Sequence, residues 1–281
     1  MSRTLRLVHR TGYTYNGPAV ASYNEARLAP RANSAQTILH TRLEVTPTPW
    51  SASWIDYWGT AVTSFEVHEP HEELKVVSIS TVTVDRKPVE GAGMTWQDYA
   101  ADAIRDEFDE LLHGSERTES GPDFLAAVAE VRAGSGTPAE FVQGVFALVT
   151  DRVDYVTGRT SALPTAAEAW QATYGGCQDI AHLVLAALRS ENIPARYVTG
   201  YVLPDQNTEI GETIIGSSHA WIEWYDREWI AYDPARRQTP DDFFIEVAHG
   251  RDYDDVAPLR GIFTGAPGSK MFLTVEISRI S

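Results

Sequence analysis

TYGGCQDIAHLVLAALRSE, residues 173–191, holds the one cysteine of a 281-residue chain, Cys177. Gly175 and Gly176 precede it and an apolar run follows. Ile180, Val184, Ala187 and Leu188 recur at helical spacing, which predicts a helix from about 177 to 190. Pro194 ends it, because a proline and the residue before it disfavour helix. Cys177 therefore opens the helix. A helix start carries unpaired N–H groups and partial positive charge, which favour a thiolate. The two glycines allow unusual backbone dihedrals and leave room for a substrate to approach the sulfur. The Cys177 N–H would be a natural oxyanion donor. The competing reading is a small buried thiol. A nucleophile also needs a base.

Eight histidines are available. His9 and His40 lie on strand-like patterns and read as structural. His68 and His71 flank Glu69-Pro70, and the proline breaks the helix that an i, i+3 metal pair would use. His113 and His249 fall in loops and read as solvated. His182 lies about 140° around the helix from Cys177 and reads as a core or supporting histidine. His219 remains. HAWIEWY (219–225) and WIAYDPA (229–235) read as the strands of a hairpin. With Asp226-Arg227-Glu228 as its loop, Tyr225 pairs with Trp229, Glu223 with Ala231 and Trp221 with Asp233. His219 and Asp233 then share a face as diagonal neighbours, ~7–8 Å apart at Cα. An aspartate so placed fixes the imidazole tautomer and stabilises the imidazolium. A loop of two or four residues would put Asp233 on the opposite face. In the first arrangement Cys177, His219 and Asp233 are nucleophile, base and orienter for acyl transfer through a thioester.

The rest of the chain frames these segments. Residues 1–90 read as a small antiparallel β-sandwich. Leu5, Leu7, His9, Thr11, Tyr13 and Tyr15 alternate, Asn16-Gly17 is a tight-turn signal, and LKVVSISTVTVD (74–85) is rich in β-branched residues. Residues 91–120 form a linker containing a polar helix over 96–112. Residues 121–281 form the core. There Thr137 with Pro138 and Glu140, and Thr165 with Glu168, are helix-opening capping boxes. ARYVTGYVL (195–203) reads as a strand and 204–218 as a polar loop. Helices precede strands, an α+β pattern.

Composition narrows the function. With 23 Lys and Arg against 39 Asp and Glu the net charge is −16. Nucleic acid is therefore excluded as a general partner and an anionic membrane is disfavoured. One cysteine allows no intrachain disulfide and no paired-cysteine zinc site. The amino terminus lacks the apolar core of a secretory signal, and no stretch approaches the ~18 apolar residues of a membrane span. The expectation is a soluble cytoplasmic protein.

GGCQDIAHL, SSHAWIEWY and WIAYDPA resemble, in order and spacing, the three core motifs of the transglutaminase-like superfamily. HRTGYTYNGPAVASYNEARLAPR and PHEELKVVSISTVTV resemble the bacterial transglutaminase-like N-terminal region, and GRDYDDVAPLRGIF resembles its closing segment. The resemblance implies a papain-like core, with a cysteine-bearing helix packed on an antiparallel sheet that carries the histidine and aspartate. It implies Cys177 as nucleophile, His219 as general base and acid, and Asp233 as orienting carboxylate. Gly176, Asp179 and His182 would support the nucleophile. Tyr155 would line the site or pack the core, Trp221 would pack the imidazole, and Asp252 and Tyr253 would approach from the carboxyl-terminal side. The large animal members use calcium, but no acidic loop here has calcium-ligand spacing, so no metal or cofactor is expected. The partner would be a peptide or protein substrate. Hydrolysis is favoured over cross-linking because no feature marks a lysine-accepting tunnel. Amine transfer and a non-catalytic peptide-binding module are the alternatives.

Overall fold

The computed structural model describes residues 2–157, 165–265 and 267–281. In chain order, β1 (Arg3–Ala26), β2 (Gln36–Thr46), β3 (Trp50–Ile55), β4 (Ala61–Val67) and β5 (His71–Val84) come first. Helices α1 (Trp96–Tyr99), α2 (Asp102–Glu107), α3 (Asp109–Leu112), α4 (Pro122–Gly134) and α5 (Pro138–Arg152) follow. Then come β6 (Asp154–Tyr155), α6 (Ala166–Ala172), β7 (Tyr174–Gly175) and α7 (Cys177–Ser190). The chain continues through β8 (Ala195–Val202), β9 (Thr213–Tyr225), β10 (Trp229–Tyr232) and β11 (Phe244–Gly250). It closes with α8 (Tyr253–Val256), β12 (Leu259–Gly265) and β13 (Ser269–Arg279). The result is an α+β fold with a large antiparallel sheet.

The long β1 organises the amino-terminal block. Its first half pairs with β5 on one side and β13 on the other, and its second half with β4 and β12. Asn16-Gly17 does not reverse the chain, contrary to its turn signal. The strand runs on through a register shift between Thr14 and Ala19, with Gly17 at φ 141° and the Asn16 N–H bonded to Gly268 O. The dipeptide therefore bends one strand and lets it serve two ladders. Tyr15, Phe65, Leu74 and Val76 close a small core beneath that bend.

Residues 213–218, expected as loop, are the start of β9. Ile214 and Gly216 pair with Ile277 and Val275 of β13, and Ser217 to Trp224 then pair with β8. The partner strand lies some sixty residues downstream, so local pattern could not announce it. Through this switch the core strands and β1 share one sheet, and the last strands, β12 and β13, pair with β1.

The expected polar helix over 96–112 is broken into α1, α2 and α3. Phe108, at φ −117° and ψ 22°, leaves helical geometry and packs against the rings of Tyr225 and Trp229. Tertiary packing overrides local propensity here. The same segment is clasped to the hairpin loop by Asp226, whose carboxylate accepts the N–H groups of Gly93 (3.0 Å) and Met94 (2.6 Å). Asp226→Ala would leave two amides unpaired, one of them buried, so a stability loss of about 2–3 kcal/mol is expected in urea unfolding. A change below about 0.5 kcal/mol would mean that the clasp is dispensable.

The helices obey their predicted caps. The Thr137 and Thr165 side chains accept the N–H groups of Glu140 and Glu168. Helix α7 runs from Cys177 to Ser190 as its periodicity indicates, yet Asp179 to Arg189 are all buried. It is the central helix of the core, enclosed by α5, α6, β8 and β9. Arg189 near its carboxyl end is buried with its guanidinium on the carbonyls of Ala195 and Arg251, which suits a cation at a helix C-terminus. No helix among the described residues is long and apolar enough to cross a membrane.

Candidate active site

Cys177 is the first residue of α7 and is partly exposed. Gly176 caps the helix with φ −78°, and its N–H donates to Asp179 Oδ2 at 2.8 Å. Asp179 thus folds back over the helix start. Neither glycine before Cys177 has a positive φ, so the expectation of unusual dihedrals is corrected. Gly175 is required for another reason: a Cβ there would lie 2.8 Å from Asp179 Cβ, inside contact distance.

The hairpin forms with the three-residue loop. Tyr225 pairs with Trp229 and Glu223 with Ala231. β10 ends at Tyr232, one residue before the anticipated Trp221–Asp233 pair, and Asp233 instead bridges to Gln238. The diagonal contact is made: His219 Nε2 and Asp233 Oδ2 are 2.6 Å apart, with residue exposures of 3% and 0%. Asp233 Oδ1 accepts the Arg236 backbone N–H at 3.1 Å.

The imidazole is held between two partners. Burial is the largest influence on His219 and opposes its charge. Hydrogen bonds to Asp233 and to the Cys177 side chain, with their negative charges, outweigh burial and push its pKa up to about 9. Because Nε2 is engaged by Asp233, Nδ1 is the nitrogen left to face the thiol. The structure therefore brings Cys177, His219 and Asp233 together.

The other singled-out residues divide into two groups. Tyr155 is half-buried beside the imidazole, ring centroids 6.4 Å apart and inclined at 67°. Burial, then the charges of Cys177 and Asp233, push its phenol pKa upward, so its O–H stays a donor. Tyr155, Ile180, Pro234 and Ala235 border a cavity of about 140 Å³, and Pro234 follows Asp233 directly in the chain. Trp221 is fully buried, but the ring contact to the imidazole comes from Phe244 (6.1 Å, 60°), against which Trp221 packs edge-on at 5.6 Å. Phe244 was not foreseen, because β11 acquires its place only by pairing with β8.

His182 is fully buried behind the helix start. Its ring stacks on Tyr197 at 5.1 Å and its Nε2 accepts the Tyr253 N–H at 3.3 Å. Burial, helped by Arg189 and Arg117, lowers its pKa to about 3, so it is a neutral bracing group. Asp252 caps α8 through its bond to the Asp254 N–H. Tyr253 therefore reaches the rear of α7 at His182, and Asp252 serves as the cap of the short helix that brings it there. His249, expected as a solvated loop residue, is 8% exposed on β11 and lies 2.7 Å from Arg31 Nη1. Among the described residues no group of three or more His, Cys, Asp or Glu is arranged to hold a metal ion.

Comparison with known proteins concerns the family and the fold. The model of the bacterial transglutaminase-like N-terminal region matches residues 5–83, and that of the transglutaminase-like superfamily matches residues 126–234. An uncharacterized protein of Mycobacterium leprae is 40% identical over 277 residues, 99% of each chain. One from Mycobacterium tuberculosis is 32% identical over 295 residues, 97% of this chain and 91% of the relative. The crystal structure of a candidate cysteine protease from Cytophaga hutchinsonii shares the fold, with a TM-score of 0.78, 20% identity, and coverage of 100% of this chain and 92% of that one.

Proposed function

The chain belongs to the transglutaminase-like superfamily, and from that premise we propose a cysteine-dependent acyl-transfer enzyme that hydrolyses peptide or protein amides. The observation that carries this reading is the His219 imidazole, bonded to Asp233 on one side and to the Cys177 side chain on the other. An imidazolium at neutral pH stabilises a thiolate beside it. The thiolate attacks the amide carbon and forms a tetrahedral oxyanion. In this reading the Cys177 N–H, at the start of α7, would stabilise that oxyanion, with the Tyr155 O–H as a second donor. His219 protonates the leaving amine, leaving a thioester on Cys177. His219 then takes a proton from water, whose oxygen attacks the thioester and releases the acid. The cavity beside Tyr155 and Ile180 would hold a substrate side chain. An amine could resolve the same thioester, so transfer remains the alternative outcome of the same site.

An electrophilic thiol probe at pH 6 tests the reading. An ordinary thiol is less than about 1% ionised there. Cys177 should be labelled rapidly, and His219→Ala should reduce labelling to the rate of a free thiol. Slow labelling of the unaltered protein would remove the basis for a nucleophile. A peptide library scored in parallel for cleavage and amine incorporation separates hydrolysis from transfer.

The raised pKa of His219 also sets a pH window. The imidazolium is the competent form, so kcat/KM should fall on an alkaline limb near pH 9. The same shift stabilises the fold. Because the folded value lies above the unfolded 6.5, the contribution is complete below about pH 6.5 and disappears as pH rises through about 9. A kcat/KM that stays level to pH 10 would contradict this assignment.

A further inference from the structure

β3 lies at one end of the large sheet and is hydrogen-bonded on one side, to β4. All six of its residues, WSASWI, are exposed. An unpaired strand edge offers its backbone N–H and C=O groups to any extended chain, and native proteins guard such edges with charge, proline or cover. Two other edge strands are guarded in this way. β2, bonded to β5, carries the Arg42–Glu44 ion pair at 3.0 Å. β11, at the opposite end of the sheet, is buried along its whole length. β3 holds no charge and no proline, and among the described residues no strand pairs with its free edge. Its large side chains are uncovered as well: Trp50 is 66% exposed, Trp54 43% and Ile55 67%.

The sequence of this edge points to its occupant. WSASW, residues 50–54, reads the same in both directions. Antiparallel pairing reverses chain direction, so the segment matches a second copy of itself about a two-fold axis at Ala52. Trp50, Ala52 and Trp54 alternate onto one face, and the small Ser51 and Ser53 let two backbones approach. Each Trp50 then stands opposite a Trp54 of the other copy, a favourable cross-strand pair, and the two Ala52 residues face each other. We infer that β3 is the contact surface of a homodimer, in which two copies pair antiparallel through WSASW. The area suits a weak, reversible association. At the exposures above, the Trp50, Trp54 and Ile55 side chains of two copies hold roughly 800 Å². The paired backbones bring the contact near the ~1,000 Å² that a specific interface needs, so a dissociation constant of roughly 1–100 μM is expected.

Sedimentation velocity of the full chain from about 1 to 300 μM tests this, in about 0.15 M salt to screen the net charge of −16. A concentration-dependent shift from monomer to dimer is expected. Ala52→Lys sets two ammonium groups opposite each other at the axis, where like charges repel. It should raise the dissociation constant at least tenfold and leave the Tm unchanged, because Ala52 is exposed. Trp50→Ser combined with Trp54→Ser should weaken association as much. The register is tested by cross-linking in a Cys177→Ala background, which leaves no other thiol. Ala52→Cys should oxidise to a covalent dimer, since facing residues lie ~4.5–5.5 Å apart at Cα, within disulfide reach. Ser53→Cys, whose two copies are diagonal at ~7–8 Å, should cross-link at least tenfold more slowly. A monomer at every concentration, a dimer undiminished by both the Ala52→Lys and the paired tryptophan changes, or equal cross-linking of the two cysteine variants would overturn the proposal.

Discussion

Asp233→Asn is expected to lower kcat/KM by about a thousandfold or more, with the fold retained. The geometry makes the substitution hard to absorb. Asp233 Oδ2 faces His219 Nε2 and Oδ1 receives the Arg236 N–H. An asparagine that keeps its oxygen on Arg236 turns its amide N–H₂ towards Nε2. The imidazole must then carry its proton on Nδ1, where it faces the thiol and cannot accept from it. The reverse rotamer offers oxygen to Nε2 but sets N–H₂ against the Arg236 N–H. Either way one of the two charges that raise the His219 pKa is gone, so the alkaline limb should move to lower pH. Asp233 is fully buried, so some stability is lost as well, about 1–3 kcal/mol. Circular dichroism, urea unfolding and a pH–rate profile on the same variant separate these effects. A variant that keeps near-normal kcat/KM would remove Asp233 from the orienting role, and one that fails to fold would make it chiefly structural.

Trp221→Ala should cause the largest loss of stability of any single change considered, about 3–5 kcal/mol. The indole is fully buried, packs against Phe244, and covers Gly200 so closely that a Cβ there would lie 2.9 Å from the ring. That glycine also faces Ile245 O, so the β8–β9–β11 sheet and the indole are fitted to each other and cannot collapse into the space. The urea midpoint should fall with little change in slope. Because Phe244 presents its ring to His219, the variant should also slow probe labelling of Cys177, more than Trp221→Phe does. A loss below about 1 kcal/mol would mean that the sheet repacks freely there.

The site was legible where its signals are local. The Cys177 helix and the two strands of the hairpin are spelled by short-range periodicity, whereas the bond from the Gly176 N–H to Asp179 emerged only in the structure. The parity of the hairpin was harder. Its loop places Arg227 at φ 63°, a conformation that glycine or asparagine would have advertised and arginine does not. Phe244 and the rear contact of Tyr253 with His182 carried no local signal, because each depends on a strand or helix that reaches the site from elsewhere in the chain.

The sequence by itself determined the local parts of the candidate site: one cysteine at a helix start, a histidine and an aspartate on successive strands, and β-rich segments ahead of them. Those features arise from spacings of two and about 3.6 residues, which chain geometry imposes within a few residues. Only the tertiary structure decided how the parts are joined. β9 extends into its supposed loop to meet β13, β1 bends at Asn16-Gly17 to serve two ladders, and Phe108 breaks a helix to reach the hairpin rings. Each of these depends on a partner distant in sequence, whose burial outweighs local propensity, and such partners become neighbours only when the chain is folded.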